Sequence, residues 1–340
     1  MIMRLMPGPR NLITDVEGLK IGNAHDARIL TGATVIVPNR PMLVAADIRG
    51  GAPGTRETPA LEPENLVEEV HAIVLSGGSV FGLDAASAVT VDLARGGVGF
   101  AFGVQAWPCP VVPAAILFDL MNGGDKAWGD EPPYRRLGAE AFAAASENFA
   151  LGNEGAGAGA IAGALKGGLG SASARHGPFT VGALVAVNSV GSCVNPDTGR
   201  LWALDDAIGH EMGPADLAPV AGLGGTKLDL MVEAALPGAN TTIAVVATDA
   251  RLSKAEVKRL AIMAQDGLAT AIRPLHTPFD GDSVFAAATG IHEIEGSRGL
   301  ALAHLGHVAA RTLARAVGRA IWEARSAGRV MAYQIGRAHV

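Results

Sequence analysis

The chain has 340 residues, 49% of them hydrophobic and only 18% charged, with Lys+Arg 27 against Asp+Glu 33 and a formal net charge of -6. That length suits one large α/β domain or two ordinary ones, and the composition excludes a disordered chain. The negative balance, without any dense basic run, argues against a nucleic-acid partner and for a small-molecule one.

Short β-branched apolar runs at 33–37, 72–75, 182–187 and 242–246 alternate with Ala-rich stretches at helical spacing, which predicts a layered α/β protein. The run at 72–75 turns at Ser76-Gly77-Gly78-Ser79 into a helix over 80–91. A nucleophile elbow would need Gly two residues after Ser79. Position 81 is Phe, so Ser79 is expected to act as a helix cap. Residues 96–118 carry no charge over 23 positions, but Pro108, Pro110, Pro113 and several glycines make poor material for a membrane-spanning helix. They read as buried strands and turns, with no membrane partner.

Residues 152–177 hold nine glycines, yet no GxxxxGK[ST] or complete dinucleotide fingerprint. Close backbone packing and tight turns account for most of them. Lys166 is the one charge in the middle of this stretch. Farther on, Ser253-Lys254-Ala255-Glu256 is a capping box before a helix with Val257, Leu260, Ala264, Leu268 and Ile272 on one side. A strand at 283–289 and a long amphipathic helix at 299–327 complete a single domain, 1–340, without repeats or linkers.

Cys109 and Cys193 lie far apart without CxxC spacing, which predicts two buried thiols in a reducing cytosol. The opening MIMRLMPGPRN lacks an apolar signal core, and the expected location is cytoplasmic. Histidines show no HExxH. His304 and His307 are three apart on the last helix, and His276 clusters with Asp280 and Asp282 without a helix to present them, so neither metal nor organic cofactor is expected.

The chemistry concentrates at 237–243, PGANTTI, where a loop ends in Asn just before a strand that begins with a hydroxyl residue. This suits a protein that cuts itself. The Thr241 hydroxyl attacks the Asn240 carbonyl, an ester forms, and its hydrolysis leaves Thr241 as a new N-terminus. An α-amine with a pKa of about 7.7–8.0 can then take the proton of its own hydroxyl. Asp280 and Asp282, two residues apart, can point the same way to orient the ammonium and the hydroxyl, and their mutual repulsion raises one pKa.

The stretch NTTIAVVATDARLS resembles the L-aminopeptidase D-Ala-esterase/amidase family of the DmpA type, closest to its threonine branch with the aminohexanoate-oligomer hydrolases. LITDVEGLKIGNAHD, GATVIV, the Arg49-Gly50-Gly51 turn, LSGGSVFGLDAA, AGAGAIAGALKGGLGSAS, VGALVAVNSVG and HTPFDGDSVFAAAT extend the resemblance over most of the chain. It implies a four-layer αββα sandwich similar to the N-terminal-nucleophile (Ntn) hydrolases, a precursor cut into 1–240 and 241–340, and a homo-oligomer of processed pairs, commonly a tetramer. Carried over residue by residue, it makes Thr241 the nucleophile, Asn240–Thr241 the bond that is cut, and Asp280 and Asp282 the acidic pair beside it. Asn188 matches an oxyanion amide, a donor worth about 2.7–4 kcal/mol in a transition state, and Lys166 a second positive donor. One departure is Phe118, which stands where family members often have a tyrosine hydroxyl.

The implied activity is hydrolysis of short peptides, amino-acid amides, esters or oligoamides through an acyl-enzyme, with no cofactor. Two alternatives follow other lines: an acyltransferase of the ornithine acetyltransferase type, which would use amine acceptors, and an unprocessed small-molecule binding protein.

Overall fold

The computed structural model describes residues 5–104, 107–214, 217–229 and 240–338. In chain order the early elements are β1 (Leu19–Asp26), β2 (Thr31–Pro38), β3 (Leu43–Ile48), β4 (Thr55–Arg56), β5 (Ile73–Ser76), α1 (Asp84–Arg95), β6 (Ala114–Ile116) and α2 (Tyr134–Ala143). They are followed by β7 (Ile161–Ala162), β8 (Leu165–Lys166), β9 (Gly168–His176), β10 (Phe179–Asn188), β11 (Thr241–Ala250), α3 (Lys254–Ala271), β12 (Ser283–His292), α4 (Arg298–Glu323) and α5 (Tyr333–Ala338). One sheet runs β1-β2-β5-β6-β4 and the other β3-β12-β11-β10-β9.

The central strands are apolar throughout because both their faces are covered. Every residue of β11 is buried. Ile243, Val245 and Ala247 face the other sheet, where they meet Ile36, Ile73 and Leu75, while Ala244 and Val246 join Leu260, Leu268, Leu313 and Val317 of α3 and α4. The period of two also divides β5: Ile73 and Leu75 enter the space between the sheets, while Ala72, just before the strand, and Val74 pack with Val89 and Leu137 of α1 and α2. Three apolar cores thus separate four layers, α1–α2, sheet, sheet and α3–α4, and each buried Val or Ile contributes about 1.5–3 kcal/mol. The expected αββα sandwich is the observed architecture.

The capping box forms: Ser253 Oγ accepts from the Glu256 N–H, the Glu256 side chain accepts from the Ser253 N–H, and Val257, Leu260, Ala264, Leu268 and Ile272 are all buried. α3 joins β11 to its parallel neighbour β12. The Gly-rich stretch behaves as packing material: a Cβ on Gly170 would lie 2.0 Å from the Ala316 carbonyl oxygen, so only Gly lets α4 approach β9 this closely.

Several expectations need correction. Ser79 caps no helix. Gly78 takes the cap position at φ +85, no side-chain cap bond is made, and a 3-10 turn (Ser79–Leu83) delays α1 to Asp84. The first half of 96–118 is not buried, since Val98, Phe102, Val104 and Trp107 are exposed. The exposed residues precede the prolines: Phe100 and Cys109 make one isolated bridge, and the chain joins a sheet only at β6, just after Pro113. Cys109 is exposed too, and only Cys193 is buried. The last long helix ends at Glu323, because Ala324 turns extended and an Ala327–Val330 bridge follows. Among the described residues no helix is long and apolar enough to cross a membrane.

Candidate active site

The site forms where three strands of one sheet present the same end. β10 finishes at Asn188, β11 begins at Thr241, and these two residues are register partners. The loop before β12 runs alongside, with Asn240 bridged to Asp280. Positions 237–239 of the expected loop lie outside the described residues. Asn188, Asn240, Thr241, Asp280 and Asp282 are all at most 4% exposed, so their polar atoms must find partners within the protein.

The Asn240 carbonyl oxygen accepts two donors, the Gly281 N–H at 2.8 Å and the Thr241 hydroxyl. Asn240 is itself tied to the loop by its N–H, which donates to the Phe279 carbonyl at 3.0 Å. Gly281 has to be Gly: a Cβ there would sit 2.7 Å from Thr241 Oγ and 2.9 Å from the Ala52 carbonyl oxygen.

The two aspartates hold the backbone on either side. Asp280 accepts from the Thr277 N–H at 2.9 Å, the Thr277 hydroxyl at 2.7 Å and the Val190 N–H at 3.2 Å. Asp282 accepts from the Thr242 N–H at 2.7 Å and from the backbone N–H and Nδ1 of His276 at 3.0 and 2.9 Å. With Asp282 ionised its oxygens only accept, and in that state the imidazole hydrogen is on Nδ1. Burial, and then repulsion from Asp282, push the Asp280 carboxyl up, in keeping with the expected rise of one member of the pair. The Arg49-Gly50-Gly51 turn braces the same loop, with Arg49 N–H donating to the Asp282 carbonyl at 3.0 Å and Ala52 N–H to the Asp280 carbonyl at 2.8 Å.

Asn188 is committed on both sides of its amide. Oδ1 accepts from the Ile161 N–H at 2.9 Å and Nδ2 donates to the Phe118 carbonyl at 2.9 Å, so Phe118 does adjoin the site, through its backbone. One amide hydrogen of Asn188 remains for another acceptor. Lys166 points elsewhere. Its ammonium donates to the carbonyls of Gly157 at 3.0 Å and Gly167 at 2.9 Å, and burial pushes it down to about 7 despite Asp119. The structure therefore brings together Asn240, Thr241, Asp280, Asp282 and Asn188, and gives Lys166 different partners.

Lys227 is a neighbour that sequence reasoning missed. Its ammonium donates to Asn240 Oδ1, and burial pushes it down to about 7 against the pull of Asp280 and Cys193. A single lysine in GGTKLD carries no motif that would have revealed it. The sequence offers His276 only as a metal ligand, and Gly281 could have been found as the tight point between two aspartates.

Comparison with known proteins fits this geometry. The model of peptidase family S58 matches residues 11–333. An uncharacterized aminopeptidase of Mycobacterium tuberculosis (strain ATCC 25618 / H37Rv) is 41% identical over 344 residues, covering 95% of this chain and 97% of its own. A 6-aminohexanoate-oligomer endohydrolase of Kocuria sp. (strain KY2) is 28% identical, covering 93% of this chain and 85% of its own. Among solved structures, the L-aminopeptidase D-Ala-esterase/amidase of Ochrobactrum anthropi, described as a variant among the Ntn hydrolase fold, superposes with a TM-score of 0.70 at 21% identity, over 95% of this chain and 88% of that one. The fold is the Ntn-like sandwich, and the family match makes the chain a hydrolase. The chain belongs to peptidase family S58.

Proposed function

We propose that this protein cuts itself between Asn240 and Thr241 and then uses Thr241 as an N-terminal nucleophile to hydrolyse amide bonds of short peptides, amino-acid amides or oligoamides. The observation that carries this reading is the pair of donors on one buried carbonyl: the Thr241 hydroxyl and the Gly281 N–H both meet the Asn240 oxygen.

In the cut, Thr241 Oγ bonds to the Asn240 carbonyl carbon and the negative charge that develops on the oxygen is met by the Gly281 N–H. The carbon–nitrogen bond breaks, and nitrogen leaves as the Thr241 α-amine, taking the proton that the hydroxyl gave up. Water hydrolyses the ester, giving a carboxylate at Asn240 and restoring the hydroxyl. Thereafter the α-amine takes the hydroxyl proton as an amide substrate is attacked, and donates it to the departing amine. Asp282 fixes the start of β11 through Thr242, and Asp280 fixes the loop that supplies the Gly281 N–H. The family membership and the name of the aminohexanoate-oligomer relative support amide bonds as the substrate class.

The test is intact mass under denaturing conditions, on the wild type and on Thr241→Ala. The wild type should resolve into fragments 1–240 and 241–340 and release product from amino-acid amides, while Thr241→Ala stays whole and inactive. A wild type that stays whole on long incubation overturns the reading.

A further inference from the structure

We propose that Lys227 is the positioning residue of the scissile peptide, gripping the Asn240 side chain so that the Asn240 carbonyl is held over the Thr241 hydroxyl. The inference rests on the self-cleavage reading and adds to it a residue from outside the catalytic loop.

Lys227 belongs to a closed circuit of hydrogen bonds around the bond to be cut. Its backbone N–H donates to the Val190 carbonyl at 2.9 Å, which anchors it just beyond the end of β10. The Val190 N–H donates in turn to Asp280 Oδ1 at 3.2 Å. Asp280 lies beside Gly281, whose N–H meets the Asn240 carbonyl at 2.8 Å, and the Lys227 ammonium closes the ring on Asn240 Oδ1. Each link runs between different segments, so the ring fixes where Asn240 sits relative to β10 and to the Asp280 loop.

The other end of the Asn240 amide sharpens the point. Asn240 is 4% exposed, and its Nδ2 has no hydrogen-bond partner among the described residues. Among the described residues Lys227 is thus the grip on this side chain, and without it a buried amide would have neither end held. A reacting carbonyl loses about 10²-fold in rate when it is misplaced by an ångström. Burial still pushes the Lys227 ammonium down to about 7, so the Asp280 charge nearby offsets only part of the cost of placing it here.

The experiment follows cleavage by intact mass over time in full-length Lys227→Met, Lys227→Arg, Asn240→Ala and the Lys227→Met/Asn240→Ala double variant, each checked for folding by circular dichroism. Lys227→Met should slow cleavage about tenfold to a hundredfold. Lys227→Arg, which keeps a cationic donor, should recover part of the loss. Asn240→Ala should slow cleavage too, and the double variant should be no slower than the worse single one, because both remove the same contact. Cleavage of Lys227→Met at the wild-type rate, or losses that multiply in the double variant, would overturn the role of Lys227. A wild type that never cuts overturns instead the self-cleavage reading on which it rests.

Discussion

Lys166 and Lys227 both carry ammonium groups that burial pushes down to about 7, and both adjoin the end of β10, yet their surroundings differ in kind. Lys166 sits in the Gly-rich hairpin and spends its hydrogens on the carbonyls of Gly157 and Gly167. Lys227 spends one on Asn240, the residue whose carbonyl faces the Thr241 hydroxyl. Burial and a lowered pKa alone therefore do not distinguish the two lysines. The acceptor does: the backbone carbonyls of Gly157 and Gly167 in one case, the side chain of Asn240 beside the proposed cut in the other.

The sharpest way to separate the two regions is Gly281→Ala. The new methyl would lie 2.7 Å from Thr241 Oγ and 2.9 Å from the Ala52 carbonyl oxygen, so the loop must shift and its N–H leave the Asn240 oxygen. Loss of one such donor costs about 10²–10³ in rate, and overpacking costs stability by about 1–3 kcal/mol. Cleavage timed by intact mass should slow by at least that factor, while a urea titration shows a folded protein. Cleavage at the normal rate would mean that the Gly281 N–H is not what meets the developing charge.

Lys166→Met probes the other region, and its expected effect is on stability. Two buried carbonyls lose a donor, a penalty of about 1–3 kcal/mol each if nothing replaces it. The sign of the pH dependence follows from the lowered pKa. Below about 7 the lysine is protonated folded or unfolded. Above it the native state has shed a proton that the unfolded chain keeps to about 10.4, so raising the pH favours the native wild type. The stability gap between wild type and Lys166→Met should widen from pH 7 to 9 by up to about 1.4 kcal/mol per pH unit. Urea unfolding at the two pH values checks this, and a gap that stays constant would show that the Lys166 ammonium is not withdrawn from water.

How much of this was legible in the sequence depended on the range of the interaction. The continuous apolar run of β11, the Ser253–Glu256 capping box and the periodic face of α3 are local patterns, and their burial follows from them. Thr241, Asp280 and Asp282 could be picked out because residue type, spacing and resemblance agreed. Lys227 could not, since its partner lies thirteen positions away and is set by where β10 ends, and neither could the use of both ends of the Asn188 amide by Ile161 and Phe118. The uncharged segment around Cys109 misled for a different reason. Apolar composition gives burial only when a strand or helix carries the chain inside, and here the chain joins a sheet only at Ala114.

The smallest expected effect concerns the helix that links the two halves of the site. α3 lies in the crossover between β11, which begins with Thr241, and β12, which follows Asp280 and Asp282. Glu256 closes its capping box through the Ser253 N–H at 2.7 Å and pairs with Arg298 at 2.6 Å, and these contacts hold its carboxyl down to about 2. Glu256→Ala should cost about 0.2–1 kcal/mol, seen as a fall in melting temperature at pH 7. A lowered carboxyl pKa gives stability that is present above the unfolded value of about 4.3 and lost as the pH falls towards 2, so wild type and variant should converge in acid. If the site is held by its own ring of hydrogen bonds through Val190, Asp280 and Asn240, cleavage at pH 7 should proceed at the wild-type rate in this variant. A cleavage rate that fell with the melting temperature would make the crossover helix, and not the local ring, the element that sets the distance between Thr241 and the Asn240 carbonyl.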